Sequence, residues 1–485
     1  KVKGLTSEDA LEAMESELPR EAFEALYLLA AGTPLEEIMN EYSLPQGPVN
    51  TADFAEALTR EQTRRRFWVV EGELELHEIL EAPLEKWRVF LHSSQRRLVE
   101  REWNGPVRVL GGAGTGKTVV AMHRARWLAA NSVKESGDKV LFTTFTANLA
   151  TDIEDNLRKI CSAAEMDRIE VVNIDAWISR FLKQQKYPNS IVYDDNEKYR
   201  QAWGLAIQIS PSEPALPESF YKEEWGRVVL PNRVTDREGY LRVSRLGRGV
   251  ALNRKQRAAI WPVFEELRVQ LHQQGLRTIE DATLDAVALL ERDTIRLPYR
   301  AVVVDEAQDM GPEVMTLLRK LMPAGTNDLF IVGDGHQRIY RRRYALSRCG
   351  IEIRGRSRKL RINYRTTEEI RRMAVAVLEG HPFEDLDGNL DSTAGYRSLL
   401  HGEPPVVKGF DNMEEEVEWV AERLNEIRDH AGGLLLDACI VARTQTLLDE
   451  YEKSLGAHGF EVARLSRRRA DNARLTGVRL ATMHR

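Results

Sequence analysis

Three groups of residues in this chain have the types and spacing for phosphoryl chemistry. The first is Gly111-Gly112-Ala113-Gly114-Thr115-Gly116-Lys117-Thr118, followed by Val119, which fits G-x-x-x-x-G-K-[ST]. Glycines let backbone N–H groups curl around an anion, and the N-terminus of a following helix adds partial positive charge. Lys117 would reach the β- and γ-phosphates of a nucleotide, and the Thr118 hydroxyl would ligate Mg²⁺. The second group is Asp305-Glu306-Ala307-Gln308-Asp309, acids that end an apolar run. Asp305 there would hold Mg²⁺ and Glu306 would polarise an attacking water. The third is Gly333-Asp334-Gly335-His336-Gln337, which brings an amide, Gln337, to the same edge.

These groups need elements to hold them. Val107–Leu110 predicts a short buried strand, and the apolar-periodic stretch from Val119 to about Ala130 predicts a helix, the context a phosphate-binding loop requires. Further strands are expected at Val140–Thr144, Glu170–Ile174, Ala301–Val304 and Leu329–Val332, the first two followed by helical stretches. Such alternation predicts an α/β fold with a parallel, doubly wound sheet. A second strand–helix series starts near Lys359, with strands at Leu360–Asn363, Val406–Gly409, Ala438–Ala442 and Val478–Thr482. Between 193 and 293 the pattern breaks into a polar, aromatic and mostly helical stretch, expected to be an inserted domain. Residues 1–88 read as a separate helical region.

At 485 residues the chain is too long for one core. It is 42% hydrophobic and 30% charged, with no apolar run approaching the roughly 20 residues of a membrane span. Its three cysteines, Cys161, Cys349 and Cys439, have no metal-ligand spacing, which points to a reducing, cytoplasmic compartment. Net charge is −6, so nucleic-acid binding cannot rest on overall charge. Locally the balance differs: Arg338 to Arg372 holds thirteen Lys/Arg against three Asp/Glu. Such a stretch suits a nucleic-acid backbone, or else is a solvated basic face.

Taken in order, Gln95, the loop Gly111–Thr118, Thr144-Phe145-Thr146, Asp305–Asp309, Gly333–Tyr340, Asn363-Tyr364-Arg365 and Thr482-Met483-His484 resemble the motif series of superfamily 1 helicases of the UvrD/Rep/PcrA type. The resemblance implies two RecA-like domains with ATP and Mg²⁺ between them. The first would run over 89–192 and 294–358 around the insertion at 193–293, and the second over 359–485. Gln95 would read the adenine edge, Tyr364 would stack on the base and Gln337 would sense the γ-phosphate. Arg365 would act as an arginine finger, a role that its planar guanidinium suits.

The resemblance places contacts with single-stranded DNA at Thr144, Phe145, Thr146, Trp177, Tyr340 and His484. Aromatic rings stack on any base, so such a track tolerates sequence. Three positions depart from the family pattern: Arg342 stands where an aromatic is usual, Ala147-Asn148 follows Thr146 instead of Asn-Lys, and Asp175 replaces a histidine. A polynucleotide other than DNA, RNA included, therefore stays open. From Thr366 to Ala481 the chain offers 116 residues, about one ordinary domain, without room for the family's large insertion. The chain stops within the fifth motif, so a longer working protein is expected, and this length alone should bind nucleotide but hydrolyse it poorly. The expected activity is that of an ATP-dependent 3′-to-5′ translocase or helicase on single-stranded DNA. The alternatives are a nucleic-acid-gated ATPase switch or scaffold, and a related RNA helicase.

Overall fold

The computed structural model describes residues 91–483 apart from 92, 134, 136, 194–195, 231, 233, 246–249, 293–294, 338–343, 379–395, 431–437 and 466–476, and only isolated positions before 91. The helical region expected over 1–88 lies outside the described residues.

Among the described residues the strands are, in chain order, β1 Val107–Gly111, β2 Lys139–Thr144, β3 Ile169–Asn173, β4 Ser190–Val192, β5 Leu276–Thr278, β6 Tyr299–Val304, β7 Leu329–Gly333, β8 Ser357–Leu360, β9 Ile362–Thr367, β10 Arg397–Leu400, β11 Cys439–Ala442, β12 Val462–Arg464 and β13 Val478–Thr482. Six of them form one parallel sheet in the order β3-β2-β6-β7-β1-β8. Alternation along the strands supplies both faces of this sheet. Val302 and Val304 join Leu141, Leu329 and Ile331 on one face, under the helices Ile174–Gln184, Ile279–Arg292 and Pro312–Lys320. Ala301 and Val303 join Val107, Val109, Phe142 and Val332 on the other, under Ser93–Glu100, Lys117–Asn131 and Ala147–Ile160. Helices on both faces make the sheet doubly wound, and ligands of such sheets sit at the carboxyl ends of the strands.

The insertion leaves and re-enters through the short parallel pair β4–β5. It has its own aromatic core of Trp203, Trp225, Trp261, Tyr221, Tyr240 and Phe264. Within it the buried Glu224 carboxylate takes a two-point ion pair from Arg245 and a 2.8 Å hydrogen bond from the Tyr240 hydroxyl. Burial of both charges is offset only because the carboxylate is so fully bonded. The expected far boundary near 293 moves: the helix Ile279–Arg292 puts Ala282, Ala286 and Val287 into the first sheet's core instead.

The second series also starts differently from the expectation. β8 completes the first sheet beside β1, and Arg361 alone separates it from β9, which pairs in parallel with β10. The three-stranded parallel sheet β11-β13-β12 has a separate core with Val417, Leu424, Leu448 and Leu455 from two helices. The strand expected at Val406–Gly409 does not form; Val406 and Val407 are each 76% exposed, and among the described residues no strand pairs with them.

Candidate functional site

β1 runs directly into Gly111–Thr118, and Lys117 opens the helix Lys117–Asn131. Gly114 and Gly116 adopt φ of 76° and 82°, a left-handed backbone that side chains disfavour. A Cβ on Gly114 would also strike the Asn363 amide oxygen at 2.2 Å. The Lys117 ammonium, nearly buried, donates to the Gly111 and Gly112 carbonyls at 2.8 and 2.9 Å and stands 3.5 Å from the Asp334 carboxylate. It is thus held at the loop mouth.

Gln95 reaches the same loop, donating its amide to the Thr115 carbonyl at 3.0 Å. Its helix is bolted in place by Arg124. That guanidinium, buried on the helix after the loop, donates to the Arg101 carbonyl and the Asn327 side chain at 2.7 Å each, and also to the Val99 carbonyl. Burial lowers its pKa to about 9.

The acids arrive at the end of β6, one strand beyond β7, the direct neighbour of β1. Asp305 follows β6, fully buried, with its amide on the Thr143 carbonyl at 2.9 Å. Its Oδ2 finds no hydrogen-bond partner. Burial, and then the neighbouring Glu306 charge, push its carboxyl well above the usual carboxylate range, against the pull of the Thr118 hydroxyl, the Glu306 amide and Lys117. A divalent cation would reverse that shift. An orphaned buried carboxylate oxygen facing a threonine hydroxyl fits Mg²⁺, so Thr118 and Asp305 are the residues that would hold it. Glu306 has a left-handed backbone at φ 54°, a strained conformation of the kind found at functional sites.

Hydrogen bonds join these parts into one network. Gln308 donates to the Glu306 carboxylate and accepts the Asp334 amide at 2.9 Å. Asp334 in turn accepts the His336 amide at 3.0 Å, at the short helix Gly335–Gln337 where Gln337 is exposed. The role of Gln308, Asp334 and Asn363 was not assigned from sequence, although all three lie within the quoted motifs.

β9 meets this edge. The Tyr364 amide donates to the Gly114 carbonyl at 3.0 Å, and Arg365, exposed, has its Cβ 3.1 Å from where a Gly114 Cβ would stand. Buried Asn363 fixes this turn, its side-chain oxygen accepting the Arg365 and Thr366 amides at 2.9 and 3.1 Å.

The expected nucleic-acid track fares unevenly. Trp177 is corrected to a core residue: it is 2% exposed, stacks on Phe181 at 5.1 Å and donates to the Tyr299 hydroxyl at 2.8 Å. Thr144 is likewise fully buried. Phe145 and Thr146 are half-buried, and Thr146 caps the helix Ala147–Ile160 through the Leu149 amide. Tyr340 and His484 lie outside the described residues. Part of the basic stretch is also spent internally. Arg356 donates to the Pro106 carbonyl, Arg358 stacks on Trp103, and Arg371 and Arg372 pair with Glu368. Replacing Trp177 with alanine should therefore lower stability by about 3–5 kcal/mol, as removal of a core tryptophan does. Chemical denaturation checks this; unchanged stability with weakened oligonucleotide binding would restore Trp177 to the nucleic-acid track.

A glycine-lysine-threonine loop on a parallel sheet, with acids on the next strands, defines a P-loop nucleotide-binding protein of RecA-like fold. The family is narrower. Residues 91–349, just over half of the chain, match the UvrD/REP helicase N-terminal domain, and the chain belongs to that family. It is similar to the ATP-dependent DNA helicase UvrD2 of Mycobacterium bovis, 29% identical over 250 residues, covering 49% of this chain and 35% of the relative. It is also similar to the ATP-dependent DNA helicase UvrD1 of the same organism, 26% identical over 393 residues, covering 75% of this chain and 48% of the relative. A probable DNA helicase II homolog of Mycoplasma pneumoniae is 21% identical over 370 residues, covering 72% and 51%. The chain thus spans about a third to a half of the length of these relatives.

Proposed function

We infer that this chain carries the motor of an ATP-dependent translocase or helicase that moves 3′ to 5′ on single-stranded DNA. The observation that carries this reading is the approach of β9 to the loop that follows β1. Gly111–Thr118 from the first sheet is met by Asn363, Tyr364 and Arg365 from β9 of the second domain. A nucleotide held there would touch both, so its hydrolysis would change how the domains sit. In this reading Lys117, the loop amides and Gln95 bind ATP, with Tyr364 against the base. Bound Mg²⁺ supplies charge neutralisation at the phosphates. Glu306 orients and deprotonates the attacking water, Gln337 senses the γ-phosphate, and Arg365 stabilises the leaving charge.

The DNA substrate rests on the similarity to DNA helicases and on the basic stretch. Polarity rests on resemblance. Among the described residues no helix is long and apolar enough to cross a membrane. None of the three cysteines is in a disulfide, which suits a reducing cytosol. A second reading, a nucleic-acid-gated ATPase that does not unwind, is favoured by the 116 residues from Thr366 to Ala481, about the length of one ordinary domain.

Single-stranded DNA is expected to stimulate ATP hydrolysis, with the stimulation falling as salt rises, because neutralised phosphates release counterions. Steady-state turnover with oligonucleotides at several salt concentrations checks this. Strand displacement on DNA and RNA duplexes with 3′ or 5′ overhangs separates the readings. Displacement of 3′-tailed DNA supports the helicase, stimulated turnover without displacement supports the switch, and turnover indifferent to every polynucleotide overturns both.

A further inference from the structure

Tyr396 lies outside every motif, yet the fold brings it to the phosphate loop. It immediately precedes β10, whose register with β9 pairs Arg397 with Ile362 and Ser398 with Asn363. The Arg397 amide donates to the Arg361 carbonyl at 3.0 Å, and the Ser398 amide to the Glu368 carboxylate at 2.8 Å. One small sheet therefore fixes both Tyr396 and the Asn363–Arg365 turn. The two straddle the loop. Asn363 and Arg365 crowd Gly114, while the Tyr396 ring stands 3.4 Å from where a Gly112 Cβ would be.

The same ring makes a second contact. It meets His336 edge-on, with centroids 5.6 Å apart and planes at 82°. His336 is held by Asp334, through its amide at 3.0 Å and its Nδ1 at 3.1 Å. Asp334 is the carboxylate 3.5 Å from Lys117. A continuous set of contacts thus runs Lys117–Asp334–His336–Tyr396 and closes back on the loop at Gly112. Lys117 has two alternative partners: the loop carbonyls and Asp334 as seen here, or nucleotide phosphates.

We propose that the His336–Tyr396 contact couples phosphate occupancy at Lys117 to the placement of the second domain, with Tyr396 a positioning residue for hydrolysis. Phosphates that draw Lys117 away leave Asp334 without its cation, and the His336 that Asp334 holds shifts against the Tyr396 ring. β10 and β9 then carry that shift to Arg365. The proposal rests on the reading that this loop takes ATP. It requires the ring and not the hydroxyl, because the contact with His336 is ring to ring and ring atoms are what stand over Gly112.

The test is a double-mutant cycle in the full chain, with Tyr396→Ala, His336→Ala and the pair, read as kcat and KM for ATP. Each single variant should lower kcat about tenfold, a usual size for coupling between sites, with KM changed by less than about threefold. The pair should be no worse than either single, and Tyr396→Phe should restore the lost turnover. If Tyr396→Ala does not fold, Tyr396→Leu keeps bulk over Gly112 without the edge-on ring and should show the same kcat loss. Losses that multiply in the pair, a change in KM alone, or parental turnover in Tyr396→Ala would each overturn the proposal. Lys117→Ala is run alongside. If that variant also turns over as the parent does, the nucleotide reading has failed. If it is inactive while Tyr396→Ala is normal, only the coupling has failed.

Discussion

Replacing Lys117 with alanine is expected to abolish ATP hydrolysis. Within Gly111–Thr118 it is the one side-chain cation, so nothing on the loop replaces its charge. Its ammonium is already held where phosphates would lie, 2.8 and 2.9 Å from the Gly111 and Gly112 carbonyls. The surroundings are nearly dry, and a preorganised charge in such a site contributes far more than it would in water. Loss of one such group costs about 10²–10³ in rate where others remain. Here the same group also binds ground-state phosphate, so affinity falls as well. The alanine variant leaves Asp334 buried without its nearby cation, so thermal unfolding should be measured with turnover. Lost hydrolysis with a melting transition close to the parent's supports the assignment; parental turnover would remove Lys117 from the site.

The first sheet was legible because its strands are short apolar runs whose ends carry distinctive letters. Val302 and Val304 against Ala301 and Val303 already imply two covered faces. The insertion's near edge showed as a change in composition, but its far edge did not. The helix Ile279–Arg292 follows the insertion directly, and only packing assigns it to the first sheet. Trp177 was misread although a signal was present. Ile174, Trp177, Ile178, Phe181 and Leu182 recur at helical spacing and mark one buried stripe, which puts the tryptophan on the core face. In the basic stretch, charge counting could not separate Arg356 and Arg358, which cap a carbonyl and stack on Trp103, from arginines left for a partner. Tyr396 carried no local signal, because its contacts depend on β9–β10 register and on residues far away in sequence. The site's letters could be read in order, whereas the network that joins Glu306 to Lys117 through Gln308 and Asp334 could not.

Replacing Arg365 with alanine should leave nucleotide binding nearly intact and lower the maximal hydrolysis rate about 10³-fold or more, the range for an arginine finger. The two effects separate because of where the residue stands. Arg365 comes from β9 and is exposed at the loop's rim, whereas Lys117 and the loop amides would hold the phosphates from the end of β1 and the start of the next helix. An arginine so placed meets charge that develops as the γ-phosphate leaves, which is stabilisation of the transition state rather than of the ground state. Its backbone is well prepared for this. Asn363, buried, accepts the Arg365 amide at 2.9 Å, and the Tyr364 amide anchors the turn to Gly114 at 3.0 Å. Lysine should not substitute, because a point charge on a flexible stem lacks the planar fork that matches phosphate oxygens. Fluorescent-nucleotide titration and single-turnover hydrolysis measure the two quantities separately. Arg365→Ala that binds as the parent does and hydrolyses about 10³-fold more slowly, with Arg365→Lys little better, identifies the finger. A loss confined to affinity would instead make Arg365 a ground-state phosphate contact. Unchanged kinetics would mean that its approach to Gly114 serves only to seat the second domain on the loop.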